Sequence, residues 1–446
     1  MNDPSCRHRF RYPSSEVLLA ELAKQSISLP WRDDISCLLE PLDGPEFSVP
    51  NRLAVQPMEG YDAASDGNPT ELTFRRYGRY AGGGSGLLWF EATAVEADGR
   101  SNPHQLYLHD GSVARFASLV ESTRYEAQVA FGGDHTPLLV LQLTHSGRWS
   151  RPEGKREPKI THHCPDLDGL VGIDDSYRTL EDGELDRIGD VFVKTARYAA
   201  DAGFDGVDVK ACHGYLISEL LAGFTRTGSY GGSLENRSRL LMDVVKRIRD
   251  EVPSLVVACR LNAYDGLPFP YGFGVDENDA RAPDLSEPKI LLGELERSAV
   301  SLVNVSVGVP YLKPHLGRPF LRSVRGTPPS PENPFKGVER LVKLVGEMQE
   351  SAPDLPVVGT GYSYLRQFFP QVAAGAMAEG MATLAGVGRM AFAYPQYARD
   401  LMELGELDPG KCCMACSGCT ELMRAGGPTG CVVRDRDLYR IPRRKK

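Results

Sequence analysis

No stretch of the 446-residue sequence is apolar for the length a bilayer crossing requires. Met1 to Arg9 is followed by no apolar segment, which argues against a secretory signal. Charge of neither sign dominates. Against 59 Asp plus Glu stand 51 Lys plus Arg, a net charge of −8, which gives little attraction for nucleic acid or anionic membrane. No low-complexity tract occurs, and no repeat beyond the strand–helix unit. No Gly-x-Gly-x-x-Gly follows a strand pattern, so no built-in FAD- or NAD-binding domain is expected. What remains is 41% hydrophobic and 25% charged residues, enough for a sizeable core and too little polarity for wholesale disorder. These absences predict a cytoplasmic, globular protein.

The 10 cysteines are unevenly spread. Cys6, Cys37, Cys164, Cys212 and Cys259 are scattered, whereas Cys412, Cys413, Cys416, Cys419 and Cys431 crowd together. A disulfide framework belongs to short secreted chains; a cluster in a reducing compartment more often means metal or redox chemistry.

Length alone allows roughly three domains of about 150 residues, or one α/β barrel of about 250 residues with insertions. The alternation of patterns decides for the barrel. Short apolar runs rich in Val, Leu and Ala occur at Arg52–Gln56, Gly86–Glu91, Pro137–Leu143, Asp205–Lys210, Leu255–Leu261, Ser301–Ser306, Leu355–Gly359 and Met381–Gly386. Between them lie helical patterns. Ile188, Val191, Phe192, Thr195, Ala196 and Ala199 recur at helical spacing after a capping-box-like start at Thr179–Asp182, and Gly203 stops the run. Leu240, Val244, Val245 and Ile248 repeat the pattern. Eight such alternations predict a TIM (β/α)8 barrel over residues 51–405. Residues 1–50, with an amphipathic stretch at Ser14–Lys24 and four prolines after it, are expected to form an N-terminal arm. Residues 406–446 are expected to form a cysteine-bearing extension with a solvated basic tail from Arg434. Insertions at about 147–177 and 264–288 follow strand ends, where a barrel builds its active site.

Several strand ends carry chemistry where an apolar residue would be the default. Gln142 and His145 end the third run and Arg260 the fifth. Gly359-Thr-Gly361 follows the seventh and Gly386-Val-Gly388-Arg389 the eighth. Glycines with an arginine at these two positions are the setting of a barrel phosphate site, against a plain reading of turns plus a surface arginine. The fourth run ends in Lys210-Ala-Cys-His213-Gly-Tyr215. There Lys210 could face an anion, His213 donate a hydrogen bond and Tyr215 supply a proton.

Asn51-Arg-Leu-Ala-Val-Gln-Pro57-Met58, Phe90-Glu-Ala92, Gln142-Leu-Thr-His-Ser-Gly-Arg148, His213-Gly-Tyr-Leu and Tyr230-Gly-Gly-Ser-Leu-Glu-Asn-Arg237 stand in the motif order of the old yellow enzyme family of FMN oxidoreductases. The sequence resembles that family from about Asn51 to Asp400. The resemblance implies that Pro57, Met58 and Ala92 line the flavin and that Gln142 binds its pyrimidine edge. Arg260 would face the N1–C2 carbonyl region, and Gly361, Gly388 and Arg389 would hold the phosphate. It implies hydride transfer from NAD(P)H through FMN to an activated C=C, with Tyr215 as proton donor. Two departures stand out. Lys210 occupies the place of a histidine in the family, which suits an anionic oxygen better, and Glu59 replaces a usual Thr or Cys.

Cys413-x2-Cys416-x2-Cys419-x11-Cys431 suits a [4Fe–4S] cluster and a four-cysteine zinc site about equally by spacing. Cys412 is a spare that could replace Cys413. Placed after an FMN barrel, the segment resembles the subgroup of 2,4-dienoyl-CoA reductase and trimethylamine dehydrogenase, which implies iron–sulfur. Those relatives continue into nucleotide-binding domains with no counterpart in this sequence, implying a separate electron-donor or acceptor protein or a structural cluster. The expectation is an ene-reductase-type enzyme acting on a small organic acid, thioester or enone. The alternatives are an amine or other substrate dehydrogenase that passes electrons through the cluster, and an electron-transfer subunit of a larger complex. Neither nucleic acid nor membrane is expected as a partner, and a homo-oligomer is compatible with the reading.

Overall fold

The computed structural model describes residues 10–441 apart from Pro45 and Ala299, so Cys6 and the basic residues Arg443–Lys446 lie outside the described residues. Eight parallel strands close into a barrel. They are β1 (Leu53–Val55), β2 (Leu87–Ala94), β3 (Leu138–Thr144), β4 (Gly206–Ala211), β5 (Val256–Tyr264), β6 (Leu302–Val307), β7 (Val357–Gly359) and β8 (Leu384–Val387). Every apolar run named from the sequence contributes one strand, and β8 pairs with β1 to complete the ring. Each strand is buried along its whole length, because the barrel interior covers one face and a helical layer the other.

The helical layer comprises α1 (Glu71–Ala81), α2 (Val113–Phe131), α3 (Asp182–Asp201), α4 (Leu234–Glu251), α5 (Ser286–Arg297), α6 (Pro334–Ser351), α7 (Phe369–Ala378) and α8 (Tyr397–Leu404). Local chemistry sets their ends. Helix α3 starts at a capping box formed by Glu181 and Glu184, two residues later than the Thr179 start expected from sequence. Glutamate at both positions satisfies the free backbone N–H groups of the first turn, and Gly203, at φ +84°, turns the chain towards β4. Ser233 caps α4, and Asn333 with Pro334 opens α6.

Successive side chains alternate between the two sides of each strand. Ala54, Leu87, Trp89, Leu138, Val140, Val256, Ala258, Leu302, Val358 and Leu384 form one buried cluster together with Phe47 and Val49. The N-terminal segment therefore closes that end of the barrel, and each of these two side chains contributes roughly 1.5–3 kcal/mol by burial. The segment itself holds a helix at Ser15–Lys24 and a short antiparallel ladder pairing Leu42–Asp43 with Ser48–Val49.

The opposite end of the barrel carries the polar strand termini. Residues 411–439 lie across it. Asp435 accepts from Arg75 at 2.7 and 3.1 Å and from Arg79 at 2.7 Å, both on α1. Thr429 N–H donates to the Gly60 carbonyl at 2.6 Å, and Leu321 N–H to that of Ala415 at 2.9 Å. Tyr439 is buried against Gly430, and the Arg434 guanidinium reaches the Cys412 carbonyl at 3.4 Å. The expectation of a solvated tail from Arg434 is corrected by these contacts: the segment is docked as far as Tyr439. Its apolar tyrosine and its acidic Asp435, facing two arginines, are the physical reason.

Candidate active site

A cleft partly open to solvent occupies the C-terminal end of the barrel. Strand β1 delivers Gln56 to Glu59, β3 Gln142, β4 Lys210 with His213 and Tyr215 just beyond it, β5 Arg260 and β6 Ser306. The loops after β7 and β8 add Thr360, Gly361, Gly386, Gly388 and Arg389. Among its lining residues Glu59 is the single carboxylate, against Lys210, Arg260, Arg318, Arg389 and Arg424. An anion is therefore favoured within it.

One buried carboxylate fixes the cleft floor. Asp208 accepts from Gln142 Nε2 at 2.6 Å, Trp89 Nε1 at 2.8 Å and Arg260 N–H at 2.6 Å. Burial pushes its carboxyl up to about 6, and these three donors oppose the rise. Because Nε2 of Gln142 is committed to Asp208, its Oε1 serves as the acceptor it offers to a ligand. Arg260 also donates to the Pro57 carbonyl at 3.4 Å, while its Nε has no partner; nor has Nη1 of the buried Arg389. A buried guanidinium N–H without an acceptor costs free energy until an anion meets it.

At the other side stands a second group. Tyr215 Oη donates to Glu59 Oε1 at 3.1 Å and shares a 3.1 Å hydrogen bond with Tyr311 Oη. Lys210 Nζ lies 3.3 Å from the centre of the Tyr215 ring and 3.9 Å from Glu59 Oε1. Burial lowers the lysine's pKa, opposed by Glu59, and raises that of Tyr215, reinforced by Glu59. Tyr215 therefore stays protonated. His213 sits at φ +67°, hydrogen-bonded to Ser306 Oγ at 2.6 Å, and burial with Arg260 and Lys210 nearby holds it well below its ordinary value and so neutral. The loop that carries Glu59 is held from beneath: Glu91 accepts from Gly60 N–H at 2.5 Å, and buried Arg76 bridges Glu91 and Asp62.

Cys413, Cys416, Cys419 and Cys431 surround one small cavity behind the cleft, together with Arg389 and Ser417. Cys412 is not part of it; its thiol donates to the Asp408 carbonyl at 3.4 Å. Cys419 and Arg389 line both the cysteine cavity and the cleft.

The model of the NADH:flavin oxidoreductase / NADH oxidase family matches residues 37–285, more than half of the chain. The chain belongs to this family. An NADH oxidase of Thermoanaerobacter brockii is 27% identical over 376 residues, covering 83% of this chain and 51% of that protein. The chain thus spans about half the length of that relative. Among solved structures, 2-naphthoyl-CoA reductase superposes with a TM-score of 0.71 at 22% identity, over 90% of this chain and 57% of its own. Histamine dehydrogenase from Rhizobium sp. 4-9 follows at 0.66 and 20%, over 89% and 52%. These likenesses agree with the barrel and with the old yellow enzyme resemblance.

Relative to the expectations from sequence, the fold brings Pro57, Met58, Gln142, Lys210, His213, Tyr215, Arg260, Gly361, Gly388 and Arg389 into one cleft. Ala92 is the exception. It is buried on β2, its carbonyl accepts from Gln105 Nε2 at 2.9 Å, and it is not among the lining residues. Cys212, just beyond β4, is wholly buried, and His163 pairs with Asp168 at 2.8 Å. Sequence reasoning missed Tyr311, Ser306 and Arg318. Tyr311 follows Gly308-Val-Pro after β6, a turn at φ +80° whose glycine was the available signal.

Proposed function

We propose that this member of the family is an FMN-dependent ene-reductase. It takes hydride from NAD(P)H and reduces an activated C=C of a small organic acid, thioester or enone. The observation that carries the reading is the cleft itself: a cation-lined floor on one side and the Tyr215–Glu59–Lys210 group on the other. The floor suits FMN. Gln142, Arg260, Pro57 and Met58 would hold the ring, and Gly361, Gly388 and Arg389 the phosphate, which gives the unpartnered Nη1 of Arg389 its acceptor. Bound there, FMN supplies the two-electron relay between nicotinamide and acceptor. The chain's own groups do the rest. Lys210 places an ammonium where negative charge develops on the acceptor's oxygen, and neutral His213 adds a donor. Tyr215 gives its hydroxyl proton to the carbon next to the one receiving hydride. Glu59, the carboxylate bonded to Tyr215, positions that hydroxyl and, after the transfer, takes a proton from solvent and passes it to the tyrosinate.

The four cysteines around one cavity fit a [4Fe–4S] cluster, in which each thiolate would bond a different iron. Cys413, Cys416, Cys419 and Cys431 are the proposed ligands. Anaerobically purified protein should contain iron and acid-labile sulfide near four each per chain, and its flavin absorbance should bleach with NADH or NADPH. Zinc without sulfide overturns the cluster. A flavin bleached by an amine or other reduced substrate and by neither nicotinamide overturns the reductase direction.

A further inference from the structure

A second cavity, formed largely by the insertion after β3, shares Tyr311, Met423 and Arg424 with the cleft. Its walls are Trp149, Leu170, Val171 and Tyr61, and at its rim stand Arg151 and Arg156. No carboxylate lines it. Arg148, deeper in, is already taken by Asp168 and Glu219. The other three arginines are not. Arg151 reaches only the Gly154 carbonyl at 3.3 Å, and among the described residues no side chain or carbonyl pairs with Arg156 or Arg424. Three guanidinium groups held around one concave apolar surface, in a protein of net charge −8, form a local positive field.

We infer that this cavity binds the phosphate or pyrophosphate group of a ligand whose other end reaches Tyr215. Guanidinium groups recognise such anions through paired N–H donors. Trp149, stacked on Tyr311 at 3.9 Å, offers a flat apolar wall to the part of the ligand that joins the two ends. Tyr311 ties the two cavities together, since its hydroxyl bonds Tyr215. The ligand's reacting end rests on the ene-reductase reading; the anion site does not. Two molecules carry the required chemistry, the nicotinamide donor and a phosphorylated acceptor such as a coenzyme A thioester.

The test uses FMN-loaded protein, so that the flavin phosphate site is filled. Inorganic pyrophosphate is titrated by calorimetry into wild type and into R151Q/R156Q. Both arginines are exposed and neither has a charged partner, so flavin content reports that the variant is folded. Wild type should bind pyrophosphate, and the double variant about tenfold or more weakly, as loss of charge-assisted bonds requires. R424Q, tested separately, should weaken it as well. Absence of binding, or equal binding by wild type and variants, overturns the site. Rapid mixing then separates the ligands. A weaker apparent affinity for NAD(P)H in flavin bleaching assigns the site to the donor. Weaker reoxidation by crotonyl-CoA, with reoxidation by cyclohexenone intact, assigns it to the acceptor. If neither moves, the link to Tyr215 is overturned. Failure of NAD(P)H to bleach the flavin would instead count against the ene-reductase reading, leaving the pyrophosphate result standing.

Discussion

Replacing Tyr215 by Phe removes one oxygen and little else. The ring stays in the buried cluster that includes Trp149, Leu167 and Val309, with the Lys210 ammonium 3.3 Å from its centre. What is lost are two 3.1 Å hydrogen bonds, one to Glu59 and one to Tyr311. Glu59 retains Lys210 at 3.9 Å, so the stability cost should be about 1–3 kcal/mol, within reach of an ordinary domain's margin. The kinetic cost is larger. A positioned general acid is worth about 10²–10⁴ in rate, or roughly 3–5 kcal/mol of barrier. It falls on only one half of the cycle, because hydride delivery from the nicotinamide needs no proton from Tyr215. Anaerobic rapid mixing resolves the halves. Bleaching of the flavin by NAD(P)H should proceed as in wild type, while its reoxidation by an enone slows by two to four decades. Reoxidation at the wild-type rate would remove Tyr215 from the mechanism, and loss of both halves together would show that the variant had disturbed the cleft rather than the proton.

Glu59→Gln keeps a hydrogen-bonding group beside Tyr215 but no longer offers a carboxylate; the first turnover should be near normal and later ones slower, by about tenfold or more, with an enlarged solvent deuterium effect. Equal slowing of every turnover would count against the proton-return role. Cys413→Ser should lower iron and labile sulfide sharply, and Cys412→Ser, whose thiol is turned to the Asp408 carbonyl, should leave both unchanged; the reverse pattern would make Cys412 the ligand. Asp265 has its carboxyl raised by burial to about 6, from 3.8 in the unfolded chain. A carboxyl raised on folding contributes stability below pH 3.8 that is lost as pH rises through about 6, on the order of 3 kcal/mol in all. Asp265→Asn removes that dependence, so its stability relative to wild type should improve between pH 4 and 7 in denaturant titrations. A constant difference would refute the shift.

The barrel was legible because each strand is buried on both faces, so its apolar residues stand in one continuous run that helical periodicity then interrupts. The cleft was legible in part for a related reason. Gln142, Lys210 and Arg260 break apolar runs at positions where packing would prefer Val or Leu. Glu59 was visible only as an oddity beside Met58, since its meaning depends on Tyr215, 156 positions away. Tyr311 was marked only by Gly308, three residues before it at φ +80°, which shows a turn after β6 but not what the turn carries. Ala92 lies buried on β2 and is not among the residues that line the cleft. The stretch after Arg434 misled differently: its charge pattern resembles a solvated tail, and only Arg75 and Arg79, remote in sequence, turn Asp435 into an anchor.

That anchor ties the first helix of the barrel to the segment that follows its last helix. Arg75 and Asp435 are 360 positions apart, so the segment that roofs the cleft closes only when two distant parts of the chain have met. Until then the barrel is an open bowl. Once the roof is down, the wall of the cleft includes Cys419, a residue shared with the cysteine cavity. A change at Cys419 is therefore felt on both sides of that wall.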